Sequence, residues 1–276
     1  MFQISADKLS EISSVPHFSA GHYSSLDIER TIDFFFRYYI QPLERVHEFT
    51  AETVVADLGA GYGWLAMAWA VHTPVRVIAV DMDAERLEAG RRIATIMGIG
   101  DRIDWRVGRL GDLPLEDSSV DIACCIEVLE HVYGDKAAVL DLGRVSRDLI
   151  LFTTPNKWFP VIAHDTRLPF CHWLPVRLRV LYAAAVKRDY NEIDNVFWSP
   201  ADLKKLLPGF KRLDGFMHFS DFKSYLGVFP YYLPYGSGST VRKIGSAKKL
   251  YYRFASIFGE GAHNILPNLA SIMKRV

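Results

Sequence analysis

The pattern of apolar and polar positions divides the chain into an N-terminal helical stretch, a long alternating stretch and an irregular remainder. Over 26–49, Ile28, Ile32, Phe35, Phe36, Tyr39, Ile40 and Leu43 recur near helical spacing. This predicts one amphipathic helix whose end is disturbed by Pro42. Ser24, Ser25 or Asp27 can cap it. The runs 53–58, 75–80, 103–107, 120–126 and 149–154 are short and almost continuously apolar. They read as strands, with helices over 64–71, from a capping Asp83 to a terminating Gly98, and over 135–147. Nearly unbroken apolar strands alternating with helices imply an α/β fold, with a parallel sheet covered on both faces. The pattern fills about residues 50–155 and then breaks. Residues 156–200, rich in Trp, Phe, Pro and His, read as an insertion or lid. Residues 210–219 and 269–274 read as a sixth and a seventh strand. Between them lies an aromatic and basic segment, 220–265, with a flexible Gly236-Ser237-Gly238-Ser239 joint.

Composition adds limits. The chain has 276 residues, half of them hydrophobic, enough for one large core with an added lobe. Formal net charge is zero but unevenly spread. Residues 1–150 carry 14 Lys and Arg against 24 Asp and Glu, residues 151–200 carry 6 against 4, and residues 201–276 carry 12 against 4. An acidic first half and a basic last quarter suggest different partners for the two ends, or two solvated faces in balance. The first residues, with Asp7, Lys8 and Glu11, lack the apolar core of a signal peptide, and no apolar run is long enough to span a bilayer. Cys124, Cys125 and Cys171 suit a reducing compartment, so a cytoplasmic location is expected. No second cysteine pair points to zinc, and no metal site is expected. Neutral overall charge and the lack of an RNA-binding motif argue against a nucleic-acid partner.

Chemistry concentrates in the first half. Asp57-Leu58-Gly59-Ala60-Gly61-Tyr62-Gly63 places a glycine-rich turn at the end of the first strand, where a ligand can approach the backbone. The spacing is G-x-G-x-G, with Trp64 next, and not the G-x-G-x-x-G of nicotinamide enzymes. An acid two positions before the first glycine suits a ligand with a cationic amino group and no pyrophosphate. Asp81 ends the second strand, 18 residues after Gly63, where a carboxylate can accept hydrogen bonds from both hydroxyls of a ribose. S-adenosylmethionine has both features.

Residues 53–155 resemble the class I S-adenosylmethionine-dependent methyltransferases, especially the small-molecule branch that includes enzymes of ubiquinone and biotin synthesis. The similar segments are VVADLGAGYG at 54–63, VIAVDMD at 77–83, LPLEDSSVDIACCIEVLEHV at 113–132 and LFTTPN at 151–156. The resemblance implies a Rossmann-like sheet of seven strands in the order 3-2-1-4-5-7-6, the last antiparallel. It implies a helical lid over 1–49, a cofactor-binding core over 50–155, and substrate-binding insertions plus the remaining strands over 156–276. Asp57, Gly59, Ala60, Gly61 and Gly63 would contact the methionine part of the cofactor, Asp81 the ribose and Met82 the adenine. The turn at Gly108, Arg109 and Leu110 would cover the adenine edge. Many relatives have Asp where Arg109 stands, and a backbone carbonyl or Asp112 could replace that acceptor. Glu127 would lie near the methyl donor. Val120 replaces the usual Phe, a change of core packing.

The implied activity is methyl transfer to a small molecule, with a hydroxyl oxygen as the expected acceptor atom, in a secondary metabolite or a glycan or lipid precursor. Nitrogen or carbon acceptors use the same cofactor site, a non-catalytic cofactor-binding protein would keep the same loop, and a nicotinamide oxidoreductase would share the sheet. A hydroxyl acceptor needs a base, for which His131, His164 and Asp165 are candidates, with a structural role open for each. Tyr23, Trp158, His172 and Trp173 are candidate acceptor contacts, or packing residues of the lobe. The basic and aromatic run around Arg242, Lys243, Lys248, Lys249 and Arg253 reads as a solvated helix, or as one facing a membrane surface or an anionic or lipid-linked acceptor.

Overall fold

The computed structural model describes residues 3–16, 26–162, 166–187, 195–214, 230–231, 242–243, 246–258, 261 and 264–276. The glycine-serine joint and His22, Tyr23, Ser24, Ser25, His164 and Asp165 fall outside the described residues. Seven strands form one sheet: β1 Val54–Leu58, β2 Arg76–Asp81, β3 Ile103–Val107, β4 Val120–Ile126, β5 Ser146–Pro155, β6 Phe210–Asp214 and β7 Asn268–Arg275. Their order is 3-2-1-4-5-7-6. β1 to β5 pair in parallel, and β7 runs antiparallel between β5 and β6.

The apolar strands are continuous because each face meets a different layer. Val55, Ile122, Cys124 and Leu151 point into one core cluster, and Ala56, Ala123, Cys125 and Ile150 into the other. The first layer holds α1 Ala6–Ser13, α2 Ile28–Phe35, α3 Trp64–His72 and α4 Ala84–Met97. α3 is apolar on nearly every side, burying all of Trp64 through Ala70. Such a helix is stable only when covered all round. The sheet takes one side, while Phe36 stacks on His72 at 4.1 Å and Phe49 meets Trp69 edge-on at 4.9 Å. The second layer holds α5 Lys136–Val145 and α7 Pro200–Leu206, with α6 Val176–Ala185 farther out.

The single helix expected over 26–49 is three pieces. After α2 come a π-turn, Phe36–Ile40, and a 3-10 segment, Gln41–Arg45. Pro42 has no N–H to give, so the α-helical ladder cannot pass it, and the wider and tighter turns restore the inward phase. Ile32, Ile40 and Leu43 are fully buried as a result. Of the three proposed caps, Asp27 accepts from the Arg30 N–H. This N-terminal stretch shares the core of β1 and α3. The Asp83 cap and the left-handed Gly98 stop bound α4 as expected.

Between β3 and β4 the chain makes only turns. They are pinned from α5: the Asp141 carboxylate accepts from Gly111 N at 3.1 Å and Leu113 N at 2.8 Å, and Arg144 donates to Leu115 O and Asp117. No helix among the described residues is long and apolar enough to cross a membrane.

Candidate active site

β1, β2 and β4 all end at one edge, and the candidate residues gather there. The turn after β1 is fastened to β2 by backbone bonds from Gly59 N and Ala60 N to Val80 O, 2.8 and 3.0 Å. Asp81, at the tip of β2, has both carboxylate oxygens engaged: Oδ2 accepts from Gly61 N at 2.7 Å and Oδ1 from Asp83 N at 2.9 Å. These two bonds fix the carboxylate beside the glycine turn while each oxygen keeps further accepting capacity. Gly108 N donates to Asp81 O at 2.9 Å and draws the end of β3 to the same place.

Asp57 stands at the floor, buried, with Oδ2 accepting from Ala66 N at 3.1 Å in the first turn of α3. Burial pushes its carboxyl up to about 7; the Ala66 N–H opposes this and the Asp81 charge adds to it. A carboxylate so placed is held ready for a cation.

The three glycines of the turn have positive φ, but for different neighbours. A Cβ on Gly59 would lie 2.5 Å from Val128 Cγ2, and one on Gly63 would lie 2.5 Å from the Trp105 ring. At these two positions protein atoms occupy the space that the sequence reading left for a ligand. At Gly61, φ +57°, the nearest atom to such a Cβ would be Arg86 Cδ at 3.4 Å. Close approach from outside is therefore open at Gly61 alone of the three.

Met82 follows Asp81 with its side chain 75% exposed, an uncovered apolar group beside the carboxylate. Arg109 is exposed and forms an isolated bridge with Asp112. The Leu110 side chain is buried in the α5-side core, so only its backbone can meet a ligand at that edge. Glu127 lies just past β4 with φ +54°, its N–H donating to Thr153 O at 3.0 Å. His131 is exposed on the 3-10 turn Leu129–His131.

In the insertion, two of the candidate residues make packing contacts within the lobe. His172 is buried with Nε2 3.0 Å from Lys157 O, and Trp173 Nε1 donates to the same carbonyl at 2.6 Å. Both rings anchor the lobe to the chain leaving β5. Trp158, half exposed, donates its backbone N–H to Asn156 Oδ1.

Two residues not singled out from sequence complete this edge. Glu130 is fully buried and its Oε2 accepts from Thr154 Oγ1 at 3.0 Å. Asn156, also fully buried, donates from Nδ2 to Asn264 O and Leu266 O at 3.0 and 2.8 Å. Their signal was positional: polar residues at the carboxyl ends of buried parallel strands, where open α/β sheets bind ligands.

A glycine turn open at Gly61, one buried acid at its floor and one clamped acid at its rim fit a ligand that offers an ammonium and a pair of hydroxyls. Residues 55–147 match the family model of the methyltransferase domain. A protein of Mycolicibacterium smegmatis, described as a probable S-adenosylmethionine-dependent methyltransferase, is 32% identical over 151 residues, 51% of this chain and 56% of its own length. A ubiquinone biosynthesis O-methyltransferase of Neisseria meningitidis is 32% identical over 106 residues, 37% of this chain and 44% of its own. The chain spans about half the length of these curated relatives. Among solved structures, the geranyl diphosphate C-methyltransferase of Streptomyces coelicolor aligns with TM-score 0.52 at 15% identity, over 90% of this chain and 76% of that one. Its likeness is one of fold. Domain match, sheet order, glycine turn and acid pair together identify residues 55–147 as a methyltransferase domain with the class I strand order.

Proposed function

We propose that this chain transfers a methyl group from S-adenosylmethionine to a hydroxyl oxygen of a small molecule, a secondary metabolite or a glycan or lipid precursor. The observation that carries the reading is the convergence of Asp57, Gly61 and Asp81 at one strand edge. When bound, the cofactor supplies an electrophilic methyl group on a sulfonium. Asp57 meets the cationic amino group, and the backbone of Gly59 through Gly63 shapes the turn around the methionine part. Asp81 receives the ribose hydroxyls, with Met82 and the backbone at Arg109 and Leu110 flanking the base, and Glu127 borders the donor side. Displacement at a methyl group needs alignment more than covalent help, so most of the acceleration comes from holding the acceptor in line. A hydroxyl acceptor also releases a proton. His131, exposed at this edge, can take it. The lobe held by His172 and Trp173, with Trp158, borders the acceptor side, and the basic sequence of the last quarter favours an anionic or lipid-linked acceptor.

The test is release of S-adenosylhomocysteine from the purified chain with panels of hydroxylated acceptors. His131→Ala should lower turnover with little change in S-adenosylhomocysteine affinity. Equal losses in both would remove His131 as the base. Turnover confined to amine or carbon acceptors would move the reaction to N- or C-methylation. Binding without turnover on any acceptor would leave a cofactor-binding protein.

A further inference from the structure

Eleven of the eighteen exposed large hydrophobic side chains among the described residues fall in two short stretches, 158–186 and 250–258. The first is centred on α6, which buries only Ala183 of its ten residues. Its Val176, Leu178 and Leu181 are 45, 48 and 65% exposed, and Val186 follows at 46%. The second is α8, Ser246–Ser256, with the turn after it. There Leu250, Phe254, Ile257 and Phe258 are 70, 52, 78 and 53% exposed, at the i, i+4, i+7, i+8 spacing of one helix face. Large apolar side chains exposed in such numbers on two helices mark a surface for a partner.

The sequence around these residues is basic, its acids standing at the borders, at Asp165, Asp189, Asp221 and Glu260. Residues 166–188 and 222–259 contain eleven Lys and Arg and no Asp or Glu. At the chain's own frequency of 32 acids in 276 residues, about seven would fall there. Arg177 and Lys187 are exposed on and just after α6, and Arg253 on α8. Arg179 is turned into the lobe, donating to Leu174 O, Asn195 O and His172 O.

Both stretches are tied to the same segment leaving β5. The Phe159 and Tyr251 rings meet edge-on at 5.7 Å, and Tyr251 donates its hydroxyl to Ile265 O. On the other side, Phe170 N donates to Pro160 O at 2.6 Å, and His172 and Trp173 hold Lys157 O. The two exposed apolar helices thus belong to the end of the molecule where the candidate active site opens.

We propose that α6 and α8 form a docking surface for an anionic lipid bilayer, with apolar side chains entering the headgroup boundary and exposed cations such as Arg177 and Lys187 meeting lipid phosphates and carboxylates. Apolar insertion plus cationic flanks is the combination that holds amphipathic helices in an interface. An acidic protein partner would satisfy the charges but not the scatter of single large apolar groups over two separate helices. The inference does not depend on methyl transfer, because adsorption is read without turnover.

The experiment is co-sedimentation of the full chain with phosphatidylcholine vesicles, with and without phosphatidylserine, at low and high salt. Binding is expected to the anionic vesicles only, and to weaken as salt rises. The exposed double variants Leu178→Ser/Leu181→Ser and Leu250→Ser/Ile257→Ser should each weaken binding by at least about tenfold. Both should keep the wild-type melting temperature and S-adenosylhomocysteine affinity. Equal binding to neutral and anionic vesicles, or wild-type binding by both folded variants, would overturn the proposal. So would heparin binding as tight as vesicle binding and unchanged in the leucine variants, which would reassign the surface to a soluble polyanion.

Discussion

Asp57→Asn separates what the floor of the site does for the ligand from what it does to the fold. The unfolded chain gives up this carboxyl's proton near 3.8, the folded chain near 7, chiefly because burial penalises the charge. Between those values the folded state holds the extra proton, so stability falls as pH rises. Above about pH 7 the whole penalty is present. About three pKa units at 1.36 kcal/mol each put its ceiling near 4 kcal/mol. Asparagine has no charge to desolvate, and its carbonyl oxygen can still accept from Ala66 N. Asp57→Asn should therefore be more stable than wild type at about pH 8, by up to a few kcal/mol, with the gain shrinking towards pH 5. Urea denaturation at both pH values measures this. The same variant should bind S-adenosylmethionine more weakly, because the partner of the ammonium is gone. In the wild type, affinity should decline as pH falls below about 7, with proton release on binding visible by calorimetry in buffers of different ionisation enthalpy. A variant no more stable than wild type at either pH, together with wild-type affinity flat across neutrality, would refute the reasoning.

Asp81→Ala removes the acceptor for Gly61 N and Asp83 N as well as the proposed ribose contact. Titration calorimetry should show S-adenosylhomocysteine affinity lower by about 10- to 100-fold; unchanged affinity would count against the assignment. Gly61→Val forces a β-branched residue to a φ of +57° and fills the open approach. It should abolish detectable cofactor binding while lowering stability by about 1–3 kcal/mol, and normal binding in a folded variant would move the ligand away from this turn.

The sheet was readable because most of its strands are short apolar-rich runs between helical patterns; six of them lie within a few residues of their sequence reading, while of the reading over 210–219 the strand Phe210–Asp214 is seen and 215–219 lie outside the described residues. The helix over 26–49 was misread as one piece because apolar spacing does not reveal where a proline breaks hydrogen-bond phase. In the glycine turn, sequence spacing showed that side chains are excluded but not by what; Trp105 on β3 and Val128 just past β4 fill two of the three places. For His172 and Trp173 the sequence left acceptor contact and lobe packing both open, and it named Leu110 only as part of a turn. An apolar or aromatic residue near a site in sequence can equally face the core or brace a loop, and only the tertiary bonds to Lys157 O distinguish the two. Glu130 and Asn156 went unnoticed because a single buried polar residue leaves no periodic trace.

The insertion of β7 between β5 and β6 sets an order of assembly. β6 joins the sheet through β7, and β7 must first find β5, pairing Ile272 with Leu151 more than a hundred residues away. The parallel half can form from nearer neighbours, whereas this flank waits on a distant encounter, the kind of step that slows folding. A nascent chain would thus carry a nearly finished cofactor half with one raw edge, β5, unpaired until its mate arrives.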